Sequence, residues 1–451
     1  MRLWEKGLTV NQQMHNLTVG DDPFFDKYLL PYDCIGTIAH AKVLLNAKLL
    51  TPDEEKQLTS TLIQIYKEAC EFKIPITSEL EDCHTTLESA LVEKLGDVGK
   101  KIHTGRSRND QVILTIRLFL RELIKNNLHS LAALRTAVLE KYSLQKNIFL
   151  PGYTHLQPAM PSSVGMWWHW LAECIQELIS DGIYLYNIIN KNPLGAAAGF
   201  GSGLPLDRQI STDYLGFNTV QRSFIDIQNS RGRYEEKYLQ WLSSIGSMAQ
   251  KFCWDLSLFT TKEFGFVTLP QQFTTGSSIM PQKRNPDIVE LTRARASSLN
   301  GFVCQIQWIT GKLPSNYHRD LQLSKAPLFE GARQGQYVLQ SLNLIVPVVE
   351  FNNAVLESRK DLELYATYEA YRLVKEGVPF REAYQKVATD VSNNSFCSGN
   401  TQDQYNQVLL DVDNSVSKLR DEIELINSAV TNLKGINYAN FGAEPSCQLT
   451  R

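Results

Sequence analysis

Residues 111–142 read QVILTIRLFLRELIKNNLHSLAALRTAVLEKY, and this stretch decides the fold class. Its apolar positions Val112, Ile116, Phe119, Leu120, Leu123, Leu131, Leu134, Val138 and Leu139 recur mostly three, four and seven apart, with no Pro or Gly between them. That spacing predicts one uninterrupted α-helix. At 1.5 Å per residue, about 30 residues form a rod of about 45 Å.

Four more stretches have the same character: about Ser162 to Asn190, Tyr234 to Thr261, Pro286 to Thr310 and Ala326 to Glu350. Each is apolar around more than half of its circumference, as in Trp167, Trp168, Trp170, Leu171, Ile175, Leu178 and Ile179. Such stripes predict core packing and need no cofactor. Five rods this widely apolar exceed what one bundle can bury, so the expected architecture packs against copies of itself. Shorter helices lie on either side. Thr51-Pro52-Asp53-Glu54 is a capping box with proline at the first helical position, opening a helix toward Phe72. After about Arg359 the helices shorten again, with turn-rich breaks near Ser398-Gly399-Asn400. The expected class is all-α: a long central helical bundle (106–358) between smaller helical domains at 1–105 and 359–451.

Composition narrows the function. Charged residues are 21% and the formal net charge is −3, which gives no electrostatic reason for nucleic acid or an acidic membrane surface as partner. No apolar run approaches the roughly 20 residues of a membrane span. The opening Met1-Arg2-Leu3-Trp4-Glu5-Lys6-Gly7 lacks the apolar core of a secretory signal. Eight dispersed cysteines without a C-x-x-C spacing fit reduced thiols, and the eight histidines form no ligand pair. The expectation is a cytoplasmic protein without metal or other cofactor.

Polar chemistry concentrates at the ends of the rods. Residues 275–286, TGSSIMPQKRNP, follow glycine with two hydroxyls and then a lysine, a loop suited to an anionic ligand, and Pro286 is expected to open the next rod. Residues 103–111, HTGRSRNDQ, put Arg106 and Arg108 in a turn at a helix N-terminus, a natural carboxylate site. His155, within PGYTHLQP at 151–158, is the best-placed group titrating near neutrality. Residues 313–325, LPSNYHRDLQLSK, are too polar for a simple connector. The glycine-rich stretch 195–203 has neither a preceding strand nor a closing G-K-S/T, so a nucleotide cradle is not expected there.

The 275–286 loop closely matches the G-S-S-x-M-P-x-K-x-N pattern of the fumarase/aspartase superfamily, whose members eliminate a group β to a carboxylate to leave fumarate. Together with HTGRSRNDQ and GYTHLQP in the same order, the chain resembles the argininosuccinate lyase family over roughly residues 100–335, and more weakly at Leu3-Trp4 and at Val378-Pro379-Phe380-Arg381. The resemblance implies cleavage of argininosuccinate to arginine and fumarate, in arginine biosynthesis, by a homo-oligomer, most simply a homotetramer. A proton leaves the carbon beside a carboxylate, an aci-carboxylate builds up, and the C–N bond breaks.

The family motif then implies Ser277 as the proton-abstracting base, made basic by Lys283 and loop amides, and His155 as the acid or as a group oriented by Glu290. Thr154, Arg108, Asn109, Lys283 and Asn285 are expected on the fumarate-forming half. Tyr317, Gln322 and Lys325 are expected on the remainder, and Thr18 stands where the family usually has serine. His84, in DCHTTLE at 82–88, is expected near the site. Two departures stand out: Ser230-Arg231-Gly232-Arg233 where the family commonly shows S-x-R-D, and a C-terminal region without the family's G-G-T-A run, ending FGAEPSC at 441–447. Adenylosuccinate lyase and fumarase share the Gly-Ser-Ser loop and stand as alternatives, as does a catalytically silent homologue that keeps only the fold.

Overall fold

The structure, a computed structural model, describes residues 11–399, 401–446 and 448–449. The expectations for residues 1–7, including the Leu3-Trp4 resemblance, and for Asn400 and Cys447 lie outside those residues. Helices carry the chain: α1 (Gln12–Val19), α2 (Asp22–Asn46), α3 (Pro52–Cys70), α4 (Cys83–Leu95) and then the rods α5 (Arg108–Gln145), α6 (Val164–Ile189), α7 (Arg233–Phe259), α8 (Asp287–Thr310) and α9 (Lys325–Ile345). Shorter helices follow, α10 (Ala366–Lys375), α11 (Phe380–Ser392), α12 (Gln402–Asp421) and α13 (Ile423–Thr431). Among the described residues no helix is long and apolar enough to cross a membrane.

Four rods close a ring, α5 on α6, α6 on α7, α7 on α9 and α9 on α5, while α8 lies outside against α7 and α9. The filling is aromatic and apolar. Trp167 stacks on Phe252 at 5.3 Å between centroids, and Phe119 on Phe329 at 4.9 Å. One apolar cluster runs from Phe25 on α2 through the rods to Leu449, and the α10–α11 hairpin has a small cluster of its own around Leu373 and Ala383.

The first rod is longer than its apolar pattern suggests, 38 residues. Ser107 and Asp110 form a capping box that starts it at Arg108, so the polar residues ahead of Gln111 are already helical. Three arginines of this rod, Arg117, Arg121 and Arg135, are buried and bonded to the segments around it. Arg117 reaches Lys191 O (2.6 Å), Gln221 (2.7 Å) and Ser230 (2.8 Å). Arg121 reaches Asn190 (2.9 Å) and Leu215 O (2.8 Å), and Arg135 bonds Gln176 and Asn427. The expected capping box at Thr51 is present, with both of its hydrogen bonds.

Pro286 does not open its rod. It caps a helix beginning at Asp287, because Asn285 is held in a backbone bridge to Thr275 (3.0 and 2.9 Å) and the chain turns only after it.

Candidate active site

At the meeting of α1, α4, the start of α5 and the 313–325 connector lies a polar cavity of about 180 Å³. It gathers five residues expected from sequence, Arg108, Asn109, Tyr317, Gln322 and Lys325, and His84 as well. It also collects Asp22, Glu81, Asp82, Arg231 and Arg319, none of which the motif reading assigned to the site.

Local geometry explains how each wall is held. Helix α1 is capped by the Asn11 side chain and ends at Gly20, where φ is 54°. The carbonyls of Thr18 and Val19 are thereby left for Gln322 Nε2, at 2.9 and 3.1 Å, and Thr18 O also accepts from Arg319 Nη2 at 3.0 Å. The Thr18 hydroxyl donates to His15 O (3.0 Å). Thr18 and Gln322 therefore brace one another within a single chain, and the amide nitrogen of Gln322 is already engaged.

Lys325, only 2% exposed, donates to Asp26 (2.6 Å) and Asp22 (3.0 Å). Burial works against its charge, but the two carboxylates outweigh it and hold the ammonium above the ordinary lysine value. Burial pushes Asp22 the other way, up to about 6, although Lys325 pulls against it. Arg108 faces Asp82 at 3.1 Å and Glu81 at 3.4 Å.

Arg106 does not join Arg108 at the carboxylate site expected from their turn. It precedes the capping residue Ser107, points into the core and donates to Thr37 (2.9 Å). The glycine-rich stretch 195–203 is no anion cradle either, because Asp110 Oδ2 already accepts the amides of Gly195 (2.9 Å) and Ala197 (2.8 Å).

Behind the cavity, His84 Nδ1 meets Asp33 Oδ2 at 2.8 Å, and Gln111 donates to the other oxygen of Asp33 at 2.7 Å. Burial disfavours both charges, yet the pair wins. His84 is raised and Asp33 lowered from their ordinary values. Cys83 lies beside them, 3.7 Å from the imidazole, and the three side chains are close enough to share a metal ion. Burial drives the Cys83 thiol well above its ordinary value.

The remaining expected residues lie elsewhere on the chain. Thr154 and His155 sit at the tip of a hairpin, β1 (Phe149–Thr154) paired with β2 (Gln157–Ser163), which periodicity did not reveal. His155 (φ 53°) and Leu156 (φ 59°) form its two-residue turn, both in the left-handed region that non-glycine residues enter only at a cost. The helical reading of that segment begins about two residues early for this reason.

Ser277, Lys283 and Asn285 belong to a loop closed by the Thr275–Asn285 bridge, with Thr275 Oγ1 also bonded to Asp287. Ser277 Oγ accepts from the amides of Met280 (3.2 Å) and Ile279 (3.4 Å). Both segments carry apolar tips in the open: Ile279 is 81% and Leu156 71% exposed. Glu290 is exposed on the first turn of α8, and among the described residues no hydrogen bond or ion pair joins it to His155 in the chain. The lining of the polar cavity includes neither hairpin tip nor loop.

Comparison with known proteins gives a consistent answer. Residues 11–301 match the Lyase family. The chain is 40% identical to an argininosuccinate lyase of Phocaeicola vulgatus over 398 residues, covering 88% of this chain and 89% of that protein. It is 41% identical to one of Stenotrophomonas maltophilia over 387 residues, covering 86% and 90%. Among solved structures, an EDDS lyase in complex with formate superposes with a TM-score of 0.77 at 21% identity, over 96% of this chain and 95% of the other. A fumarate lyase:delta crystallin from Brucella melitensis gives 0.69 at 16% identity, over 91% and 92%. The last two likenesses concern the fold alone. The chain's all-α rods, its signature loop and its identity to these proteins over most of its length make it a member of the argininosuccinate lyase family.

Proposed function

We propose that the protein cleaves argininosuccinate to arginine and fumarate, as a cytoplasmic homotetramer. The observation that carries the reading is the convergence of Arg108, Asn109, Tyr317, Gln322 and Lys325 on one polar cavity. Those residues come from two segments some two hundred residues apart, and together they offer guanidinium, amide, phenol and ammonium groups to a ligand rich in carboxylates. In this reading Arg108, Asn109, Thr154, Lys283 and Asn285 hold the fumarate-forming half, while Thr18, Tyr317, Gln322 and Lys325 frame the rest.

Ser277 takes the proton. Two loop amides already point at its oxygen, 3.2 and 3.4 Å away, where an alkoxide would draw on them, and Lys283 in the same loop adds positive potential. His155 supplies the acid function or assists it, with Glu290 orienting it across a subunit boundary. The hairpin tip and the loop reach the cavity from other copies of the chain, which gives their exposed Leu156 and Ile279 a place to be buried.

Absorbance at the fumarate band tests the reading directly. The assembled protein is expected to release fumarate from argininosuccinate and to leave adenylosuccinate and malate at background. Comparable turnover of either of those, or none of the first, would overturn it.

A further inference from the structure

Besides His84, which is paired with Asp33, four cations line the cavity: Arg108, Arg231, Arg319 and Lys325. Three are already bonded within the chain. Arg108 is bonded to Asp82 and Glu81, Arg319 to the carbonyl of Thr18, and Lys325 to Asp22 and Asp26. Arg231 differs. It is 6% exposed, and among the described residues its guanidinium donates no hydrogen bond; its Nε is fully enclosed and unpaired. What touches it is the Tyr317 ring, whose centroid lies 5.6 Å from the guanidinium carbon.

Glu235 and Asp22 feel its charge, but a buried guanidinium that donates no hydrogen bond is costly, and a folded chain rarely keeps one without a partner to come. Its placement is built in. The next residue, Gly232, turns at φ 86°, where an added Cβ would stand 2.3 Å from Thr310 Cγ2. Glu235 holds the amide of Gly232 at 2.9 Å. The altered S-R-G-R sequence at 230–233 is therefore the means by which the arginine is delivered inward, just before α7 begins.

We propose that Arg231 is a substrate-binding residue whose open fork takes a carboxylate of the ligand, with Tyr317 stacked against it as a rigid backing. This deepens the function proposed above and rests on its reading of the cavity as a polycarboxylate site.

The test uses the full-length assembled protein with Arg231→Met and Arg231→Lys. Succinate and arginine are titrated calorimetrically as carboxylate probes, and KM and kcat for argininosuccinate are measured in parallel. Losing one charge-assisted fork should weaken succinate or arginine roughly 10- to 100-fold in Arg231→Met, with a matching rise in KM. Lysine should restore part of it. The melting temperature of Arg231→Met should fall little, because the lost group donates no hydrogen bond among the described residues and acts on Glu235 and Asp22 only through its charge.

Affinities for both probes within threefold of wild type in Arg231→Met, or a wild-type protein that binds neither probe, would overturn the proposal. A lowered melting temperature with kcat reduced and KM and probe affinities unchanged would do the same, by assigning Arg231 a structural role. If wild-type protein fails to cleave argininosuccinate, the proposed function falls, while the probe titrations still decide on Arg231.

Discussion

Replacing Lys325 with methionine removes one buried cation from between two carboxylates. Asp26 is fully enclosed, accepting from Lys325 at 2.6 Å and from the Cys83 amide at 3.0 Å; Asp22 accepts from Lys325 at 3.0 Å. Methionine keeps the stem and the packing, so the cost is electrostatic. Removing one member of a buried pair costs about 3–5 kcal/mol, and here two acids lose the same partner.

The pH dependence follows from Asp22. Its folded value is already raised to about 6 by burial, above the ordinary 3.8, with Lys325 holding it down, so without the lysine it must rise further. A carboxyl raised in the folded state contributes stability that is complete below its unfolded value and lost as pH climbs through its folded value. The variant should therefore be destabilised most near pH 8 and progressively less toward pH 5, where Asp22 takes up a proton. Calorimetric melts of wild type and variant, at equal protein concentration from pH 5 to 8, read this out. Adding Asp26→Asn to Lys325→Met should recover part of the loss. A deficit under about 1 kcal/mol, or one that does not change across that pH range, would refute the account of these three side chains.

Ser277→Ala should lower kcat at least about 1000-fold, near 4 kcal/mol, with an unchanged melt, because the loop loses one oxygen and no buried contact; more than a tenth of wild-type turnover would exclude the serine as base. Mixing inactive His155→Asn and Ser277→Ala chains after reversible dissociation should regenerate sites with both native residues, so a mixture that exchanges subunits yet stays inactive would show that each chain builds its site alone. His84→Gln should destabilise the fold most between about pH 4 and 6.5, the ordinary values of its Asp33 partner and of imidazole. Asp33 is depressed, so its share is lost as pH falls through its folded value, and His84 is raised, so its share is lost as pH rises through its own. A penalty that grows steadily toward pH 9 would contradict the pair.

The rods were readable because their apolar repeat is what buries them, and α5, α6, α7 and α9 fall within a few residues of the expected stretches. Local caps were readable too, since Thr51 needs only its own first turn. What sequence could not supply is which way a side chain faces at a junction. Arg106 and Arg108 are two residues apart, and only the position of Ser107 as cap sends one into the core and the other to the cavity. The direction of Arg231 is not legible in the sequence, because it depends on Gly232 meeting Thr310, a contact between distant segments. Asp22 carries no motif that sets it apart from neighbouring Asp21, and its partner Lys325 lies roughly three hundred residues away. His155 stands out as a residue, but the left-handed turn that displays it is hidden behind prolines that suggest a plain loop.

The buried arginines of α5 fix more than packing. Each residue added to a helix turns everything beyond it by about 100° and moves it 1.5 Å. Arg117 and Arg121 fasten the rod to carbonyls near 191 and 215, and Arg135 fastens it to Gln176 and Asn427, so its rotation is pinned at three heights. Arg108 and Asn109 stand at the end of the same rod. A single inserted or deleted residue between 109 and 117 would leave the pins in place and swing the cavity wall away, or keep the wall and pull every pin. The stretch from Arg108 to Arg135 therefore behaves as a ruler of fixed length, and changes of chain length that preserve activity belong in the connections beyond it.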